Sequence, residues 1–135
     1  MRLAAIFTLF VAFLLTGCQS TSQNLNKKIK FNQYQLVVLD NVVLTDPNIK
    51  LSFSDGLRVH GFTGCNRFFG QGKLSHNQFK IDELGMSRKR CDPQLTQQEE
   101  LIIDTLSQMA SLTVERDQLI IAGRHHLTFK RIASL

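Results

Sequence analysis

Gly61-Phe62-Thr63-Gly64-Cys65-Asn66-Arg67-Phe68-Phe69-Gly70 is the stretch that most limits what this chain can become. It puts three glycines, one cysteine and three phenylalanines into ten residues. Glycine lets a backbone turn where other residues clash. Phenylalanine brings a large apolar area that has to be buried. The combination reads as a tight turn held between bulky anchors. The residues before it alternate. Ile49, Leu51 and Phe53 share one face, Ser54-Asp55-Gly56 makes a hairpin turn, and Leu57, Val59 and Gly61 point inward again. The stretch therefore sits at the end of a strand paired with its predecessor, and Gly61 marks a close backbone approach.

The rest of the chain repeats this pattern. Its 135 residues favour one domain with one modest core. Tyr34–Leu39 suits a strand, and Asp46-Pro47-Asn48 is a turn signal. After Gly70, Gln71–Leu74 leads to a turn at Ser75-His76-Asn77, then Phe79 and Ile81 point inward. Leu112–Glu115, Gln118–Ala122 and Leu127–Lys130 are three more short strands. Between them, Asp92 caps a helix with Pro93 at its first position, and Thr96 and Glu99 have capping-box spacing. Leu95, Ile102, Leu106, Met109 and Ala110 recur at helical steps, which predicts a helix over 93–109. The sum is a mainly β (α+β) fold: a curled antiparallel sheet or small open barrel of about eight short strands with one main helix.

The N-terminus reads as a targeting segment. Met1-Arg2 is followed by an apolar run to Leu15 that fits a secretory signal rather than a membrane span. Leu15-Thr16-Gly17-Cys18 resembles the lipobox of bacterial lipoproteins. That resemblance implies cleavage before Cys18 and a covalent lipid on its thiol. Gln19 in place of Asp implies the outer membrane, facing the periplasm. The expected organisation is a signal peptide over 1–17, a lipidated polar tether over 18–30 and a folded domain over 31–135. Lys27, Lys28 and Lys30 read as solvated cations of the tether rather than headgroup contacts. The formal charge of +5 carries no nucleic-acid role, because the periplasm holds no nucleic acid to bind.

Gly64-Cys65-Asn66-Arg67-Phe68-Phe69-Gly70 resembles the signature of the META domain family, the HslJ-like family of bacterial heat-shock lipoproteins. Asp55-Gly56-Leu57-Arg58-Val59 before it and Ser87-Arg88-Lys89-Arg90-Cys91-Asp92-Pro93 after it fall in the family's order. The match spans roughly 34–132. Lys89 and Arg90 depart from it, standing where the family favours apolar residues, and Tyr34 stands where it often has Trp. The resemblance implies association with heat stress and with tolerance to the hydrophobic antibiotic novobiocin, and no defined reaction.

With Cys18 assigned to lipid, Cys65 and Cys91 remain as a pair in an oxidising compartment, where a disulfide is expected. It would close a loop of about 27 residues, for which the chain-entropy model gives on the order of 3.5 kcal/mol. Free thiols in a redox or metal role are the alternative, but there is no C-x-x-C motif, and His60, His76, His125 and His126 are scattered. Asn66 is read as satisfying backbone groups in a tight turn and Arg67 as reaching solvent, with a polar binding spot beside Phe68 and Phe69 as the other reading. Asp82, Glu83, Glu99 and Glu100 are read as solvated or capping acids. No catalytic or phosphate-binding motif is present. The expectation is a monomeric, non-enzymatic envelope-maintenance module without a cofactor beyond the lipid on Cys18. Its partners would be the membrane through that lipid and an envelope protein. The alternative is a carrier or pilot for an acyl chain or apolar peptide, by analogy with secretin pilot lipoproteins. It would need an open cavity lined by residues such as Phe53, Phe62, Phe79, Ile102, Leu106 and Phe129.

Overall fold

The computed structural model describes residues 20–46 and 48–135. The expected signal segment, Cys18 and Pro47 lie outside them. The chain forms α1 (Ser20–Ile29), β1 (Asn32–Leu39), β2 (Val42–Val43), β3 (Lys50–Phe53), β4 (Arg58–Phe62), β5 (Arg67–Ser75), β6 (Gln78–Met86), α2 (Pro93–Ser107), β7 (Ala110–Glu115), β8 (Gln118–Ala122) and β9 (His126–Ser134). The sheet runs in the order β2-β1-β3-β4-β5-β6-β7-β8-β9, every pairing antiparallel, and β1 also pairs β9. That last pairing closes eight strands into a barrel with β2 outside it. The expectation of a mainly β fold holds; the open barrel is in fact closed.

Closure is uneven. β1 and β9 pair along their whole length, from Asn32↔Ser134 to Leu39↔Leu127. β6 and β7 share only Gln78↔Ser111 and Phe79↔Ala110. The chain leaves the sheet after Met86 and returns at Ala110, and α2 packs over the upper half of β6, where no strand follows. Asp92 caps this helix by accepting the Leu95 N–H at 2.9 Å, with Pro93 in the first turn. Ile102 and Leu106 point into the barrel and are buried. The helix ends at Ser107, and Met109 is half exposed rather than part of its apolar stripe.

The interior is filled by side chains from every barrel strand. Tyr34, Phe53 and Phe79 meet edge to face, with ring centroids 6.0 and 5.7 Å apart. Leu36, Leu51, Val59, Ile81, Leu112, Leu119, Leu127 and Phe129 join them in one cluster with Ile102 and Leu106. Of the residues proposed to line a cavity, five belong to this cluster and Phe62 is half buried.

Within the expected tether over 18–30, the described residues 20–30 are not extended chain. Ser20–Ile29 is helical, and Ile29 is fully buried in the core with Leu25 packed beside it. Leu25 and Ile29 stand four residues apart, so one narrow stripe suffices to dock an otherwise polar helix. Lys27 and Lys28 occupy its last turn, where they complement the helix dipole. The helix α1 and the two-residue β2 are the elements absent from the sequence reading. β2 follows a two-residue turn at Asp40-Asn41, both with left-handed φ (46° and 67°), as His76 and Asn77 also have in the β5–β6 hairpin.

Asp40 also ties this hairpin to the β8–β9 turn. It accepts the His126 N–H at 2.8 Å and meets His125 Nδ1 at 2.6 Å. These bonds, that from the His126 backbone first, hold the Asp40 carboxyl below its ordinary value. A folded value below the unfolded one means that the contribution is complete above the unfolded value and is lost as pH falls through the folded one. The melting-temperature difference between the parent and Asp40→Asn should therefore be steady from pH 7 to 5 and shrink below about pH 4; a difference that persists at pH 2.5 contradicts this role.

Gly61 lies directly opposite Phe68 across β4 and β5, and the Phe68 ring lies on it. A Cβ there would overlap that ring and stand 2.7 Å from the Lys50 carbonyl oxygen. Gly61→Ala should destabilise the fold by about 1–3 kcal/mol in urea titration, and adding Phe68→Leu should recover part of the loss. An unchanged midpoint for Gly61→Ala would show that the pair does not set the packing here.

Candidate functional site

The signature stretch runs through a hairpin. β4 ends at Phe62, Thr63–Asn66 turns, and β5 begins at Arg67. Gly64 takes φ 99°, which only glycine adopts without strain. Thr63 N–H donates to the Asn66 carbonyl at 2.9 Å, and the Thr63 hydroxyl oxygen accepts the Asn66 N–H at 3.0 Å. Alternation then sends Phe68 inward, where it is buried, and Phe69 outward, 55% exposed over Gly85 on the next strand. Only Phe68 is thus a core anchor. Arg67 is exposed, and Gly70 lies opposite a bulge where Glu83 and Leu84 face one residue of β5.

Behind the turn lies a buried polar cluster. Thr63, Asn66 and Glu99 are 0%, 2% and 8% exposed. Glu99 sits on α2, and its carboxylate accepts the Thr63 hydroxyl at 2.5 Å and the Asn66 amide at 3.1 Å. The Asn66 side-chain oxygen Oδ1 faces the other way, accepting the Lys89 N–H at 2.8 Å and the Ser87 hydroxyl at 3.0 Å. Ser87 completes the link through its hydroxyl oxygen to Arg67 N–H at 3.0 Å and its own N–H to the Arg67 carbonyl at 2.9 Å. Cys65 and Cys91 are bonded beside this network, with Cα atoms 6.1 Å apart. The turn is thus fastened at one point to the 87–91 segment and to α2, 20 to 36 residues further along the chain.

Glu99 was read from sequence as a solvated or capping acid, and the structure corrects this. Asp92 does the capping, which frees Glu99 to point inward. The signal was present: Glu99, Ile102 and Leu106 fall at i, i+3 and i+7, so an acid occupies the buried stripe of α2. Thr63 lies outside the heptapeptide, and nothing in its sequence neighbourhood marks it as a partner of Glu99. Asn66 satisfies backbone groups as expected, although those of the 87–91 segment rather than of its own turn, where Thr63 serves. The basic departures Lys89 and Arg90 do not disturb packing: both side chains are exposed, and Lys89 enters the network through its backbone.

The chemistry available to this cluster is fastening. Thr63 beside a carboxylate has the composition of a nucleophile and base, but its oxygen already serves two N–H groups and no face of it reaches solvent. A reacting pair needs a place for substrate within hydrogen-bond reach, and this one has none. Among the described residues no group of three or more His, Cys, Asp or Glu could hold a metal ion. An open surface groove of about 320 Å³ lies outside the barrel, between the β1–β2 hairpin and α2, lined by Leu39, Val42, Leu44, Gln94, Gln97 and Leu101 among others.

Removing the carboxylate takes the closest acceptor from the buried Thr63 and Asn66 donors and leaves them the longer contacts, to the Asn66 main-chain carbonyl at 3.2 Å and the Lys89 carbonyl at 3.4 Å. Glu99→Ala should cost about 1–3 kcal/mol or more, and Glu99→Gln less, because it keeps one acceptor. Cys65→Ser should lower stability by on the order of 3.5 kcal/mol under oxidising conditions and leave the reduced protein nearly unchanged. A Cys65→Ser midpoint equal to the oxidised parent's would remove the disulfide from this account.

The same arrangement of sequence and fold occurs in known proteins. The META domain family model matches residues 27–134. The chain is 33% identical over 131 aligned residues to heat shock protein HslJ of Escherichia coli strain K12, covering 89% of each. A protein structure solved by NMR superposes with a TM-score of 0.67 at 27% identity, over 77% of this chain and 92% of its own. A second NMR structure, of a protein from Burkholderia xenovorans, gives 0.65 at 19% identity over 87% and 93%, and bears on the fold alone. The chain belongs to the META domain family.

Proposed function

We propose that this protein is a lipid-anchored, non-catalytic envelope-maintenance domain, held at the outer membrane through Cys18 and facing the periplasm, that helps the cell tolerate heat or hydrophobic antibiotics such as novobiocin. The observation that carries this reading is the Cys65–Cys91 bond set into a buried clamp. Such a bond suits an oxidising compartment, and the clamp beside it uses its polar groups to hold the chain rather than to meet a substrate. The lipobox-like Leu15-Thr16-Gly17-Cys18 supplies the anchor. The name of the Escherichia coli relative, a heat shock protein, supports the stress setting. The carrier alternative lacks comparable support, because Phe53, Phe79, Ile102, Leu106 and Phe129 pack against one another in the core.

Deletion in the parent bacterium, followed by complementation, tests the proposal. The deletion strain should lose viability on novobiocin or at raised temperature. The parent chain should restore it and fractionate with the outer membrane, with an acylated Cys18 by mass spectrometry. Cys18→Ser should leave the membrane fraction and restore little. Full rescue by an unacylated Cys18→Ser protein, or a deletion strain with ordinary tolerance to both stresses, would overturn the reading.

A further inference from the structure

Three of the seven large apolar side chains left exposed among the described residues lie where β1 and β9 meet beside α1. Phe31, Ile132 and Leu135 are 44%, 41% and 64% exposed. Phe31 and Leu135 are neighbours by pairing: Leu135 N–H donates to the Phe31 carbonyl at 2.6 Å, and Asn32 faces Ser134 in the β1–β9 ladder; Ile132 lies at the irregularity of that ladder between the pairs of Gln33 and Tyr34. Phe31 occupies the joint between α1 and β1 with a left-handed φ of 59°, a conformation that costs a bulky residue some strain. Burial of its ring does not repay that strain, since the ring is turned outward.

Three lysines, Lys27, Lys28 and Lys30, precede Phe31 in the chain. Lys30 Nζ stands 4.7 Å above the Phe31 ring and also meets Asp55 at 2.6 Å. Lys27 and Lys28 are exposed on the last turn of α1, and among the described residues neither reaches a carboxylate within ion-pair distance. Apolar residues at a tip with lysines beside them form a surface suited to an anionic bilayer, where rings and aliphatic chains enter the headgroup boundary and ammonium groups meet phosphates.

The chain's path points the same way. Helix α1 opens at Ser20. One residue, Gln19, separates it from Cys18, a step of about 8 Å at most. An acyl anchor at Cys18 would therefore hold the domain against the membrane rather than on a long leash. The ten residues of α1 place its far end, with Lys27, Lys28 and Phe31, about 15 Å along.

We propose that Phe31, Ile132 and Leu135, with Lys27 and Lys28, form a bilayer-docking face that lays α1 and the adjoining end of the barrel on anionic lipid. The membrane location rests on the lipid-anchored reading above; the face itself does not. Docking here gives the domain a fixed orientation. Ser22 on α1 bonds the His76 turn at the end of β5, and the nine residues of β5 carry the signature turn and Arg88-Lys89-Arg90 about 30 Å away, towards the periplasm.

The chain contains no tryptophan, so Phe31→Trp and Phe69→Trp each install a single reporter, one on the face and one near the opposite end. Each full-length acylated protein is reconstituted in vesicles of phosphatidylethanolamine and phosphatidylglycerol carrying brominated acyl chains. The Phe31→Trp emission should shift to the blue and be quenched at least threefold more than that of Phe69→Trp. Lys27→Glu with Lys28→Glu should abolish the difference, as should vesicles of phosphatidylcholine alone. Equal quenching of the two reporters, or a blue shift without vesicles that grows with protein concentration, overturns the proposal; the latter would assign the face to a second copy of the chain. The mass of Cys18 decides the anchoring question separately. Should it prove unacylated, flotation of that same protein with the anionic vesicles tests the face directly, with at least tenfold weaker binding expected for the double lysine variant and equal binding overturning it.

Discussion

The Glu99 carboxylate is the point on which the architecture depends. A small barrel whose sixth and seventh strands barely touch has to be completed by something other than a ladder of hydrogen bonds. Here α2 completes it, and α2 is seated by two grips of different kinds. Ile102 and Leu106 supply apolar contact, which favours burial but is tolerant of rotation and sliding. Glu99 supplies direction, since its two oxygens meet donors from Thr63 and Asn66. Buried carboxylates are costly unless so paired, and the same cost penalises every other placement of the helix. Direction is therefore enforced more by what misplacement would leave unpaired than by what the correct placement gains.

The disulfide and the Asn66 side chain act on the same segment from two sides. Asn66 holds residues 87 and 89 through their hydroxyl and backbone. Cys65 holds residue 91 covalently. Because Lys89 is gripped by its backbone, its side chain is left without a structural task. This explains how a basic run can stand in a position where the family resemblance suggests apolar residues, with no change in the fold. The three cations are then presented on a segment that cannot move far.

The strands were legible from alternation because each barrel strand has one face inside and one outside, so burial follows a period of two. Ile49, Leu51 and Phe53, or Phe79 and Ile81, could be assigned without any structure. The helix α2 was legible from Asp92, Pro93 and the apolar steps after them. Other features were hidden for definite reasons. The apolar side chains by which α1 docks, Leu25 and Ile29, are too few to stand out in a polar segment. β2 is two residues long and exposed on both faces, so it carries no pattern. Closure depends on β1 meeting β9, and no local signal reports a pairing between opposite ends of a chain. At the clamp, Cys65 and Asn66 were conspicuous in the signature, whereas Thr63 and Glu99 act across 36 residues, and only the acid's place on the apolar stripe of α2 betrayed it.

The pairing of β1 with β9 also has a meaning in time. Leu36 meets Phe129 and Asn32 meets Ser134, so the first and last strands of the barrel are each other's neighbours. During synthesis β3 to β6 can pair as local hairpins, and so can β7 with β8, but the ring stays broken until β9 emerges. Contacts of such long sequence separation form slowly. For a chain that has to thread a membrane before it folds, as proposed for this one, a lock placed in the nine residues of β9 would help to keep the polypeptide pliable until transit is over.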